Sequence, residues 1–119
     1  MAILKGKKDE ITVHVKAELE MDLRKKQIVP FKATFMVLPP KESKALVKRF
    51  TDEDDNFGEE DLVRETLIGW SDLEGADGAT VEFDADVLEE VLSVREYLAA
   101  LVRGFMEAQF GRQAVAAKN

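Results

Sequence analysis

Residues 11–20, ITVHVKAELE, alternate strictly between apolar and polar side chains, and this stretch decides how the fold begins. Every second residue from Ile11 to Leu19 is apolar, and the residues between them are polar. Successive side chains of a β-strand point to opposite faces of its sheet. The pattern therefore predicts a strand with one face on the core and the other in water.

A second alternating stretch follows at residues 28–38, IVPFKATFMVL. Pro30 has no N–H to donate to a neighbouring strand, so it suits a strand start or a sheet edge. The short polar segment 21–27, MDLRKKQ, predicts the loop of an antiparallel hairpin. One face of the second strand is expected to be apolar, with Val29, Phe31, Ala33, Phe35 and Val37 on it.

The rest of the chain has mainly helical spacing and supplies the cover that a lone hairpin needs. LPPKES, residues 38–43, ends the second strand and starts a helix with Pro40 in its first turn. A second helix is predicted to begin near Glu59 and to carry Leu62, Val63, Leu67 and Trp70 on its apolar side.

Two further helices are predicted after a short strand at residues 79–83, ATVEF. Asp86 precedes Glu89 by three residues, and Ser93 precedes Glu96 by the same distance, which is the spacing of a capping box. Gly111 is placed to end the last helix. The predicted fold class is α+β: an antiparallel hairpin at 11–38 packed on a helical part at 40–111, with about four helices. Residues 1–111 form a single domain, and 112–119 a flexible tail.

Composition excludes several classes of protein. The chain has 119 residues, a net charge of −7 and no cysteine, which removes disulfides, thiolate metal sites and cysteine nucleophiles. An acidic chain repels the phosphate backbone, so no nucleic-acid partner is expected. No apolar run is long enough to span a membrane. The basic residues 24–27, RKKQ, fit either a solvated turn or a contact with a partner.

Two acidic segments invite a calcium-loop interpretation, and neither satisfies it. Such a loop needs glycine at position 6 and glutamate at position 12. In DEDDNFGEEDLV, residues 52–63, no frame provides both, and in GWSDLEGADG, residues 69–78, the sixth position from Asp72 is Asp77. The pair Asp77-Gly78 instead predicts a type I′ hairpin turn. With His14 as a surface strand residue, we expect no metal, cofactor or catalytic residue, and no enzyme.

Apolar residues late in the chain are the candidates for contact with other proteins. Trp70 is either core beneath the following turn or an interface residue. The last helix is apolar over a wide arc, which fits either one broad core stripe or a core stripe plus a surface for self-association or a partner helix. The candidate residues are Leu98, Leu101, Val102, Phe105, Met106 and Phe110, with Trp70.

The order of these parts resembles the small tail assembly chaperones of long-tailed bacteriophages. The strongest match is the segment from Trp70 to Phe83, WSDLEGADGATVEF, followed by Leu88 and Leu92. In that family a tryptophan at a helix end precedes an acidic turn with glycine, a short strand ending in phenylalanine and a leucine-rich helix pair.

The resemblance implies a non-enzymatic assembly protein that acts in the host bacterial cytoplasm. Such a protein forms homo-oligomers, binds and solubilises the tape measure protein, helps to recruit tail tube subunits, and is absent from the mature virion. Two other classes remain open: a structural virion subunit, such as a head–tail joining or tube protein, and a small acidic regulatory binding module.

Overall fold

The computed structural model describes residues 9–22 and 25–111. Over these residues the chain has an α+β fold with a three-stranded antiparallel sheet and four helices, which confirms the predicted fold class and helix number. The sheet order is β1-β2-β3. The elements are β1 (Glu10–Asp22), β2 (Lys25–Met36), α1 (Pro40–Thr51), α2 (Glu59–Thr66), β3 (Leu67–Ser71), α3 (Ala85–Leu92) and α4 (Arg95–Phe110).

The hairpin of β1 and β2 has the predicted faces. Ile11 pairs with Phe35 and Val15 with Phe31, so the apolar residues of both strands share one face. That face is buried at its centre, at Val13, Val15, Ala17, Phe31, Ala33 and Phe35. The predicted loop at 21–27 was too long, because β1 runs to Asp22 and β2 starts at Lys25. Strand pairing uses backbone groups, and it therefore continues into residues whose side chains are polar and exposed.

β3 corrects the prediction for Leu67 and Trp70. Both residues lie on this strand, since α2 ends at Thr66. β3 pairs antiparallel with β2, with Lys32 opposite Ser71 and Ala33 opposite Trp70. The spacing of the two apolar residues fits a helix, but tertiary pairing overrides such local preference. Gly69, a poor helix former between them, is the signal in the sequence that favours the break.

Pro30 lies on the central strand without costing a ladder hydrogen bond. The Val37 N–H donates to Asp9 O, at 2.9 Å. This bond shows which residues of β1 and β2 direct their backbone N–H and C=O groups at each other. In an antiparallel ladder every second residue turns its N–H away from the partner strand. For Pro30 that direction is the β3 side, and β3 pairs with β2 only as far as Lys32. No residue of β3 therefore pairs with the nitrogen of Pro30. Pro30 lies inside the central strand, so the predicted strand start was wrong, and the predicted edge holds only in that β3 does not extend to Pro30.

α4 packs lengthwise on the buried face of β1 and β2. A Cβ on Gly104 would lie 2.8 Å from Val15 Cγ1 and 3.0 Å from Phe35 Cε2, so the helix and the sheet are in close contact at this residue. Near the end of the helix, Gln109 Nε2 donates to Met36 O at 2.6 Å, and Gln109 Oε1 accepts from Leu38 N at 3.0 Å. These bonds fix the C-terminal end of α4 at the end of β2.

Two of the predicted helix starts were wrong by one or two residues. Asp84 caps α3, because its Oδ1 accepts hydrogen bonds from Asp86 N at 2.8 Å and Val87 N at 3.1 Å. Val94 precedes α4 with no side-chain cap, and Ser93 Oγ donates instead to Glu90 O at 2.6 Å. Gly111, with a φ of 88°, ends α4 as predicted. The flexible tail at 112–119 lies outside the described residues, and the domain bounds remain a prediction.

Candidate interaction surface

Trp70 packs beneath the turn that follows it. Its ring meets Phe83 edge to face, with 4.7 Å between ring centroids, and its Nε1 donates to Val81 O at 2.8 Å. An aromatic pair in this arrangement stabilises the fold by about 0.5–1.5 kcal/mol beyond the effect of burying its surface. Trp70 is partly buried against the core cluster. The segment that carries the resemblance therefore forms one packed unit.

The turn inside this unit differs from the predicted type I′ geometry. Gly78 N donates to Gly75 O at 3.0 Å, which places Ala76 and Asp77 at the centre of the turn. Of these residues only Gly78 has a positive φ, 80°, whereas a type I′ turn needs two such residues at its centre. The loop is instead a turn closed by a left-handed glycine. The predicted strand at 79–83 is reduced to one bridge between Glu74 and Thr80.

The six candidate residues of α4 lie at different depths. Leu101 and Phe105 have no exposed surface, and the Phe105 ring meets Phe35 edge to face at 6.5 Å. Leu98, Val102 and Met106 are partly buried against the same core. Phe110 is 38% exposed. For Leu101 and Phe105 the structure therefore favours the core alternative, and it leaves Phe110 as the most exposed of the candidates.

The wide apolar arc of α4 has a cause that the sequence did not reveal. α4 contacts β1 and β2 on one side, and α2 and α3 on another. A helix covered from two directions needs apolar side chains over more than one stripe. Most of the arc therefore serves the interior of the protomer.

One exposed apolar patch remains at the C-terminal end of α4. Phe110 directly follows Gln109, whose side chain holds the backbone of Met36 and Leu38. Met36 is also 38% exposed, but it follows the buried Phe35 on β2, so its side chain lies on the face of the sheet away from α4, where the hairpin alternation places it. We call the exposed C-terminal end of α4, at Phe110, the α4-end patch.

α1 is a second place where apolar side chains reach the surface. Its only buried residue is Ser43, while Leu46 and Val47 are partly buried and Phe50 is 39% exposed. The end of the helix is held by Arg49, which stacks 4.2 Å over the ring of Phe57 and donates to Asp55 Oδ2 at 3.0 Å. Phe50 therefore lies on a segment that is fixed by its neighbours.

A charged cluster joins α2 to α3. Arg64 donates to both carboxylate oxygens of Glu89, at 2.7 and 2.8 Å, and to Asp61 Oδ1 at 2.8 Å. The hydrogen bonds from Arg64 lower the pKa of the Glu89 carboxyl group. Glu89 in turn raises the pKa of Arg64. Arg64 thus binds a carboxylate of its own helix, Asp61, and a carboxylate of α3, Glu89. These bonds form the tie between the two helices.

The acidic loop before α2 uses its carboxylates for local backbone contacts. Asp61 Oδ2 accepts from Gly58 N at 2.8 Å, and Asp52 Oδ1 accepts from Asp54 N at 3.0 Å. Within residues 9–22 and 25–111, no group of three or more acidic or histidine side chains is placed to hold a metal ion. In the same part of the chain no helix has the length and apolar character needed to cross a membrane.

The geometry thus presents apolar contact surfaces carried by a packed scaffold, at the α4-end patch and on α1. No protein-family model, curated protein or solved structure matches the chain.

Proposed function

We propose that this chain is a tail assembly chaperone of a long-tailed bacteriophage. In this role it does no bond-making chemistry. It binds the tape measure protein, keeps it soluble in the host cytoplasm and helps to recruit tail tube subunits, and it is left out of the finished virion.

The observation that supports the proposal most is the packing of residues 69–83 and the two leucines after them. Trp70 contacts Phe83 and Val81, and Leu88 and Leu92 are buried in the core. The residues that carry the resemblance are thus the residues that shape the scaffold.

The exposed apolar side chains suit a protein that holds an apolar client. Phe110 forms the α4-end patch, and Phe50 lies on α1. The apolar surface of a client can contact such side chains and be removed from water there. A net charge of −7 counteracts nonspecific association of a protein with such surfaces.

Co-expression with the client tests the proposal. The wild-type chain should keep the encoded tape measure protein in the soluble fraction of a host lysate and should co-purify with it. Phe110→Asp should reduce this recovery at least severalfold, because a carboxylate in the apolar contact would be desolvated on binding. Circular dichroism should show the same helical content for the variant, since Phe110 is the last residue of α4.

Val94→Asp is the matched control, because Val94 is 37% exposed and lies at the opposite end of α4. It should recover the client as the wild type does. Equal recovery with Phe110→Asp would show that the α4-end patch does not hold the client. A wild-type chain that leaves the tape measure protein insoluble would contradict the chaperone proposal itself.

Mass spectrometry of purified particles separates the chaperone from a structural virion subunit. We expect the tape measure and tube proteins among the particle peptides, and no peptides from this chain. Stoichiometric recovery of the chain from particles would favour the head–tail joining or tube alternative.

A further inference from the structure

The outer edge of β1 has backbone groups that no strand within the described residues pairs with. In the β1–β2 ladder, every second residue of β1 directs its N–H and C=O away from β2, just as Pro30 is directed away from β1. These residues are Thr12, His14, Lys16, Glu18 and Glu20. The side chain of Arg103 supports this direction, because its Nη2 reaches Lys16 O at 3.2 Å. Among residues 9–22 and 25–111, no strand pairs with this edge. A long edge strand of this kind is a template for pairing with another chain.

A groove follows the edge. It has a volume of about 430 Å³ and is lined by Lys16 and Glu18 on the strand side, with Glu96, Ala99 and Arg103 of α4 on the other. Lys16 O keeps a second lone pair beside its bond to Arg103. The edge is therefore accessible to an incoming strand.

The side chains of β1 are complementary to a second copy of β1 in antiparallel orientation. With the two-fold axis at Ala17, Lys16 of each copy lies opposite Glu18 of the other, and His14 lies opposite Glu20. On the other face, Val15 lies opposite Leu19. In this register the outward-facing backbone groups of both copies are directly opposed, as a ladder requires.

The neighbouring registers are worse. Moving the axis by one residue in one direction places Lys16 opposite Lys16, and in the other direction it places Glu18 opposite Glu18. Like charges directly opposite each other destabilise a strand pair. The charge pattern therefore selects the register centred on Ala17.

Burial along β1 fits the same arrangement. Val13, Val15 and Ala17 are buried in the protomer, whereas Leu19, on the same face, is only partly buried. An antiparallel partner centred on Ala17 brings the covered half of one strand beside the less covered half of the other. Leu19 would then lie next to Val15 of the second copy and lose part of its contact with water.

We propose that two copies of this chain join by antiparallel pairing of their β1 strands, centred on Ala17, to form a continuous six-stranded sheet. The inference concerns how the copies meet, and its test needs no client. Its failure would therefore leave the binding of the tape measure protein untouched, and the reverse also holds.

Charge reversal tests the pairing in the pure protein. Sedimentation equilibrium of the wild type at micromolar concentrations should give twice the 13.4 kDa chain mass. Lys16→Glu places an acid opposite Glu18 at two symmetric positions, and it should raise the dissociation constant about tenfold. The double variant Lys16→Glu, Glu18→Lys restores both opposite-charge pairs and should return the dissociation constant to near the wild-type value.

Lys41→Glu is the matched control, because it makes the same change in net charge at an exposed position on α1. It should dissociate as the wild type does. A wild type that stays monomeric throughout the concentration range would overturn the proposal. So would a dimer whose dissociation constant is unchanged by Lys16→Glu, or one that the double variant fails to restore.

Discussion

Gly104 shows how a single residue sets the distance between α4 and the sheet. The nearest atoms to a Cβ built on it belong to Val15, Phe35 and Val13, at 2.8, 3.0 and 3.3 Å. Two of these neighbours are β-branched and all three are buried, so none can move aside freely. Glycine in a helix interior costs about 1 kcal/mol relative to alanine. Close packing on the hairpin offsets that cost.

Gly104→Ala should therefore destabilise the protein in spite of the better helix propensity of alanine. Overpacking of a core costs about 1–3 kcal/mol, and after a gain of about 1 kcal/mol in helix propensity we expect a net loss of up to about 2 kcal/mol. Urea unfolding measures it. Gly69→Ala is the control, because a Cβ at Gly69 meets nothing within 4 Å, and its effect should be neutral or slightly stabilising. A Gly104→Ala variant as stable as the wild type would mean that α4 can lift away from the sheet.

For individual residues, burial was easier to predict from the sequence than the role of the side chain. Leu101 and Phe105 were recognised as apolar positions on a helix, but spacing alone does not say how many neighbours cover that helix. Trp70 was placed on the wrong element and still assigned a place under the following turn among its alternatives. Its bond to Val81 O explains this, because a buried indole N–H needs a nearby acceptor whatever element carries it.

At the scale of elements, strands were predictable where their pairing is local. β1 and β2 each carry a period-two pattern and pair with each other, so the hairpin and its faces follow from the sequence. β3 has five residues, a bulge opposite Thr34 and Phe35, and a partner more than thirty residues away. No local pattern reports such a pairing. The start of α3 was displaced because Asp84 and Asp86 are both chemically able to cap, and that of α4 because the Ser93 hydroxyl donates to Glu90 O instead of capping.

The tie between α2 and α3 gives a prediction about pH. Arg64 lowers the pKa of Glu89 below its ordinary value of 4.5 in the folded state. A carboxyl group whose pKa falls on folding stabilises the protein above its unfolded pKa and loses that contribution as the pH falls through the folded value. Glu89→Gln should thus be less stable than the wild type at pH 7, and the difference should shrink below pH 4.5.

Thermal unfolding of both proteins between pH 3 and pH 7 measures this difference. High salt should reduce it at pH 7, because Glu89 is exposed and its charge is screened. Glu90→Gln, an exposed neighbour on the same helix, is the control and should not show the same pH dependence. A difference between wild type and Glu89→Gln that persists at pH 3 would point to packing rather than charge.

At the scale of the whole molecule, one core includes residues from both strands of the hairpin, from β3 and from α2, α3 and α4. The chain should therefore unfold in one cooperative transition. Trp70 is the only tryptophan, so its fluorescence reports on the unit at residues 69–83, while far-ultraviolet circular dichroism reports mainly on the helices. The two midpoints in guanidinium chloride should coincide. An earlier fluorescence transition would show that this unit opens separately from the helices.

The surfaces of the molecule were the least predictable part of its structure. Exposure of Phe110 depends on where α4 ends relative to β2, and exposure of Met21 depends on how far the hairpin extends past the buried part of the sheet. These are relations between elements that lie far apart in the chain. The sequence predicts that apolar residues exceed what one helix stripe needs, and the arrangement of the elements decides which of them reach solvent.

Pro30 has a consequence for how this architecture could vary. An insertion that lengthened β3 past Ser71 would bring new backbone carbonyls alongside the nitrogen of Pro30, which has no hydrogen to offer them. The sheet therefore has a built-in stop on this flank, and growth of the third strand would require replacement of the proline first. The outer edge of β1 has no proline between Glu10 and Asp22. Enlargement of the sheet is therefore easier on the β1 side of the molecule.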